Sequence, residues 1–397
     1  MRLIVFFLLG FPALIRAGNG HLDAIRSLLL PMRSGQPYTK NRGATPAFTT
    51  VKHELLAWIE SRLPEMQWNG DRWKPDPVVL QEKLNDQLIQ AGLFCDSGTN
   101  VPCPQDSELG FVGPIVLDMK PGVLVLRTAV GIQVCGVDES AYAYEWNENH
   151  WRRFWQSEQN DYRENKYFPQ RLDEVAISPA DWTPGSDKSE HLILTMGHLP
   201  WCTSVWQDVY YRIWRAKASY PEPALLLEGK EWADIDGPVR GIANSRDALF
   251  EYPVSDVEGG STRPEIRHYL LKNGRLERTD PVALSPWHFT AFWLTDPWPE
   301  VEPWTAQDRR SQLREWREQH HGPFAEFSSP TLRCKQHPDQ WQVSTYYGEN
   351  EEQQVYFLIR WRPPYRLTMM AVGEKPWPDC TEEDTEADQP RDLFPGR

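Results

Sequence analysis

The chain lacks the short elements that announce common chemistries. It contains no Gly-x-Ser-x-Gly, Ser-x-x-Lys or His-Glu-x-x-His, no phosphate-binding loop and no dinucleotide fingerprint. Nucleophile-elbow hydrolases, zinc proteases and nucleotide-dependent enzymes are therefore disfavoured. Basic charge is short as well: 42 Lys and Arg stand against 56 Asp and Glu, a net charge of −14. A surface of that sign repels phosphate backbones and anionic lipid, so nucleic acid is excluded as a partner. Cysteine is scarce at six in 397 residues, with no Cys-x-x-Cys or Cys/His ligand spacing, so no metal and no cofactor are expected. Beyond the N-terminus no stretch approaches the ~18 apolar residues of a membrane helix, so no membrane span is expected in the mature chain.

What is present begins with Arg2, an apolar run from Leu3 to Leu9 continuing through Ile15, and the small residues Ala17-Gly18. A basic residue, a short apolar core and small residues read as a secretory signal over 1–17, cleaved after Ala17. The mature chain is then secreted or periplasmic, and Cys95, Cys103, Cys135, Cys202, Cys334 and Cys380 read as disulfide cysteines. The spacing suggests a short bridge between Cys95 and Cys103 around a turn-rich segment. Cys334 with Cys380 would staple the last β region, leaving Cys135 for Cys202.

Two counts are high, 34 Pro and 19 Trp. Pro disrupts helix interiors and central strands, while Trp favours pleated, half-buried surfaces. Together they point to a mainly β, antiparallel, loop-rich fold. Residues 18–109 are the exception and read as a helical N-terminal region. There Asp76-Pro77 opens a helix whose Leu80, Leu84 and Leu88 form one stripe before Gly92. A second helix carries Val51, Leu55, Ile59 and Leu63 on one face, and a third runs from Leu22 to Leu30. From 110 to 285 the period changes to alternation, with hairpin turns at Lys120-Pro121-Gly122 and Asn273-Gly274. An aliphatic strand, an aromatic strand and a hairpin return recur at irregular spacing. A propeller-like region is the first expectation and a β-sandwich the alternative. Residues 286–380 read as an α+β unit, with a capping box at Thr305-Ala306-Gln307-Asp308 opening a helix. Residues 381–397 read as an acidic disordered tail.

The chemistry-bearing candidates are few. Glu158 and Asp161 follow a Trp-rich hairpin, and a glycoside hydrolase needs two carboxylates beside a stacking platform. The more ordinary reading of both is a solvated loop acid. Trp151, Trp155, Trp201 and Trp206 are candidates for stacking on a ligand, although Trp in β proteins more often fills the core. His191 and His198 bracket a strand but have no carboxylate or Cys at ligand spacing. Asp234-Ile235-Asp236-Gly237 lacks the later ligands of a calcium loop and reads as a turn. The expected function is therefore a non-catalytic, exported binding or interaction protein for a glycan or a protein partner. An extracellular carbohydrate-active hydrolase using paired carboxylates is the alternative, and a structural envelope protein is a third reading.

Overall fold

A computed structural model describes residues 11–34, 44–69, 72–94, 109–133, 136–160, 171–178, 190–198, 206–217, 222–255, 262–320, 330–348, 353–384 and 393–394, apart from 121, 148, 235 and 363. The chain is mainly β and antiparallel, and it divides into two compact units, 1–229 and 230–397. The boundary falls inside the 110–285 stretch.

The first unit opens with α1 (Phe11–Leu29) and α2 (Ala44–Glu60), a two-residue-per-strand hairpin β1 (Gln67–Trp68) and β2 (Trp73–Lys74), then α3 (Pro77–Gln90). The Asp76 side chain accepts a hydrogen bond from the Val78 amide, Pro77 occupies the first turn, and Gly92 takes φ 63° at the far end. These are the stop and start signals read from the sequence, and Leu80, Leu84 and Leu88 are fully buried beneath them.

Next come four strands in meander order, β3 (Val116–Lys120), β4 (Val123–Gln133), β5 (Gly136–Asn147) and β6 (His150–Ser157). Gly122 (φ 72°) and Asn149 (φ 62°) supply the left-handed backbone that their turns require. A second sheet holds β7 (Arg171–Ile177), β8 (Glu190–His198), β9 (Trp206–Lys217) and β10 (Ala224–Asp234), again in meander order.

Alternation along β5 sets the layering. Tyr142 and Tyr144 point to the helices and join Leu124, Leu126, Phe48, Leu55 and Leu84 in one core. Ala141 and Ala143 point the other way, where they meet Val175, Ile177 and Ile193 of the second sheet. A strand buried on both faces needs an unbroken apolar run, which explains Val123-Leu124-Val125-Leu126. The unit is thus helix layer, sheet, sheet.

The second unit contains β11 (Arg240–Ala243), β12 (Asp247–Ser255), β13 (Thr262–Lys272) and β14 (Arg275–Arg278), a third four-stranded meander. Asn273 (φ 51°) and Gly274 (φ 78°) make its last hairpin as the sequence predicts. Three helices follow, α4 (Pro286–Thr295), α5 (Trp298–Val301) and α6 (Arg310–Gln319). The final sheet has strands β15 (Leu332–Cys334), β16 (Gln340–Tyr347), β17 (Gln353–Arg362), β18 (Arg366–Gly373) and β19 (Cys380–Glu383), ordered β18-β17-β16-β15-β19. Phe289, Phe292, Trp293 and Leu313 of the helices pack on Val343, Val355, Phe357 and Ile359 of the sheet.

The antiparallel, sheet-rich class holds: the described residues form one two-stranded sheet, three four-stranded meanders and one five-stranded sheet. Two expectations change here. The capping box does not form, because the Thr305 hydroxyl instead accepts from Trp293 Nε1 and donates to the Val301 carbonyl. A buried indole N–H without an acceptor would cost more than an uncapped helix start. The C-terminal tail is not wholly disordered. Cys380–Glu383 pairs with β15, and Phe394 is buried with Leu249, Ile266 and Leu284.

Candidate functional site

Tryptophans meet in a quartet built from two hairpins. Trp68 faces Trp73 across β1–β2, and Trp146 faces Trp151 across β5–β6. Trp73 joins the pairs, with ring centroids 5.2 Å from Trp146 and 4.7 Å from Trp151. Trp151 Nε1 donates to the Met66 carbonyl, 3.2 Å. The rings meet tilted and edge to face, so the quartet bolts the small hairpin to the sheet. Trp68 and Trp73 had been passed over in the sequence, although Asn69-Gly70-Asp71 between them is a turn signature.

Trp155 lies elsewhere than its spacing suggests. Four residues along a regular strand restores the same face, but Phe154 is an extra residue opposite Ala143 and Tyr144. That bulge turns Trp155 into the core between the two sheets, where it is 2% exposed. No ring face remains there for a ligand.

Trp206 stands on a different surface. Along β9, residues 206, 208, 210 and 212 are half-buried while 207, 209, 211 and 213 are buried. Trp206 and Tyr210 therefore flank Asp208 on one face, followed by Arg212, whose Nε donates to Glu228 of β10 at 2.7 Å. Alternate residues on a strand stand about 7 Å apart, so Trp206 and Tyr210 are about 14 Å apart along the strand with Asp208 between them. In the second unit, Trp232 is 59% exposed.

Glu158 is no solvated loop acid. Its side chain is 3% exposed, 3.8 Å from His53 Nε2, and Oε1 has no hydrogen-bond partner among the described residues. Asp161 and Trp201 lie outside the described residues, as do Cys95, Cys103, Cys135 and Cys202. Cys334 and Cys380 form a disulfide across β15 and β19. His198 Nδ1 lies 2.6 Å from Asp173 Oδ2, and His191, held neutral by burial, stacks on Phe154. Asp236 N donates to Asp234 Oδ1, the expected turn.

The second unit encloses a charged cluster with no sequence signature. Arg263, Arg267 and Arg278 surround Glu265, and Arg267 also lies 3.5 Å from Asp296 and 3.0 Å from Glu231. Burial opposes the Glu265 charge, but the three guanidinium groups outweigh it and hold the carboxyl below its usual range. Asp296 has the opposite fate: burial, and then Glu265, push its carboxyl up to about 7. Burial, with Arg263 beside it, pushes His288 down to about 3. Two carboxyls with divergent acidities resemble an acid–base pair, yet both are over nine-tenths buried, which leaves a substrate no path. Among the described residues no group of three or more His, Cys, Asp and Glu could hold a metal ion.

No protein-family model and no curated protein matches this chain. The reading of its site rests on geometry.

Proposed function

We propose that the chain is an exported, non-catalytic binding protein that holds a glycan on the β9–β10 face. The observation carrying this reading is the placement of Trp206 and Tyr210 on either side of Asp208, next to the Arg212–Glu228 pair. Sugar rings offer C–H faces to aromatic rings and hydroxyls to ionic groups, so this alternation suits them. A protein partner would favour a contiguous apolar centre depleted of charge, which the alternation does not supply.

Export is supported by the Cys334–Cys380 disulfide, a bond that persists in oxidising compartments. Among the described residues no helix is long and apolar enough to cross a membrane. Cleavage after Ala17 would leave Leu22, Ile25 and Leu29, the buried part of α1, in place. Mass spectrometry of the native product should find Gly18 first; an intact Met1 would count against export.

A glycan array probed with the purified protein tests the binding role, followed by titration of the best glycan. W206A and Y210A should each weaken binding at least about tenfold, the loss of one stacking contact. Unchanged affinity in both variants would remove this face from the reading. The hydrolytic alternative takes Glu158 and Asp161 as its paired carboxylates, and a chromogenic glycoside panel run beside the array tests it.

A further inference from the structure

Lys52 on α2 and Asp138 on β5 form an ion pair enclosed between the helix layer and the first sheet. Nζ lies 2.7 Å from Oδ2, and the side chains are 1% and 0% exposed. Nζ also donates to the Gln159 carbonyl. Eighty-six residues separate the two partners in sequence.

Beside this pair sits a second buried carboxylate. Glu158 precedes Gln159, and its Oε1 has no hydrogen-bond partner among the described residues. Ser140 and Tyr142 lie buried on the same strand face, and their hydroxyls interact with each other. Burial raises the Tyr142 hydroxyl, and both Glu158 and Asp138 raise it further, so the two carboxylates flank one neutral phenol. The amine and the carboxyl are thus enclosed together, and a buried carboxylate sits one residue before the carbonyl that the amine contacts.

We propose that Lys52 and Asp138 condense into an intramolecular amide, a self-catalysed covalent tie between α2 and β5. The proton on Nζ passes along the existing hydrogen bond to Oδ2, giving a neutral amine beside a neutral carboxyl. The Nζ lone pair attacks Cγ, forming the C–N bond. Glu158 takes the second nitrogen proton and delivers it to the departing hydroxyl, and the C–O bond breaks. One water leaves, no redox partner is needed, and both buried charges vanish. Two features drive the step: the reactants are already held in contact, and a buried ion pair carries a desolvation penalty that the amide removes.

The full-length protein, purified, reduced and denatured, should be lighter than its sequence by the mass of one water, after allowance for any N-terminal trimming. Tryptic digestion should yield a branched peptide joining the segments that hold Lys52 and Asp138, with no cleavage after Lys52. The K52R variant should show the unmodified mass. E158Q, which leaves both reacting side chains in place, should also show it while keeping the wild-type circular dichroism spectrum. A wild-type mass equal to the unmodified sequence, with trypsin cleaving after Lys52, overturns the proposal. Water loss retained in E158Q overturns the role given to Glu158.

Discussion

At the residue scale, the second unit's buried acids make a pH dependence with a definite sign. Asp296 in the folded chain holds its proton up to about 7, against 3.8 as its ordinary value. A raised folded pKa stabilises the fold fully below the ordinary value and loses that contribution as pH rises through 7. Glu265 acts in the opposite sense, since its lowered carboxyl loses its contribution as pH falls through the acid range. Thermal unfolding of the wild type should therefore drop by several degrees between pH 5 and pH 8, as estimated by proton linkage. D296N should flatten that drop; an identical slope in the variant would show that Asp296 does not set it. Breaking the other side of the cluster is expected to be severe. R278A leaves Glu265 with less compensation and should cost about 3 to 5 kcal/mol in denaturant unfolding. Glycine carries a comparable constraint in the first unit. A Cβ at Gly229 would overlap the Tyr211 ring, so G229V should destabilise that unit by about 1 to 3 kcal/mol.

At the element scale, legibility followed local signals and failed where burial overrode them. Helix α3 could be read because Asp76, Pro77 and Gly92 mark its ends and three leucines mark its buried stripe. Helix α4 could not, because seven of its ten residues are buried and no polar face interrupts the apolar run. At its start the Ser285 hydroxyl caps the His288 amide. The fate of Trp155 was hidden for another reason. A single extra residue in β6 reverses the face of everything beyond it, and nothing in Phe154 itself announces a bulge. Of the candidate site, Trp206 was legible as a candidate for stacking, whereas the face it shares with Asp208 and Tyr210 needed the strand's bounds. The charged cluster was illegible because its members come from β10, β13, β14 and the end of α4. The quartet makes its own prediction. W73A removes the ring that joins both hairpins and should cost about 3 kcal/mol, with loss of the near-ultraviolet circular dichroism of coupled indoles.

At the scale of the whole molecule, covalent closure and sheet edges decide how well the chain resists unfolding and misassembly. The Cys334–Cys380 bond spans 46 residues of the second unit. By chain entropy it should contribute about 4 kcal/mol, so a double serine substitution at Cys334 and Cys380 should lower that unit's denaturant midpoint while leaving the first unit's unchanged. The mainly β, antiparallel class was legible from proline, tryptophan and hairpin turns. The layering was not, because alternation tells which residues share a face but not which surface covers it.

The outer strand β3 has one further consequence. Its backbone is answered by a helix rather than by another strand: Gln81 accepts from the Leu117 amide at 2.7 Å, and Asn85 both accepts from and donates to Ile115. Those two amide side chains act as a chaperone written into the chain, occupying the positions that a stray strand from a second molecule would seek. Trimming both to alanine leaves a ready template at the rim, from which fibrous assembly would begin.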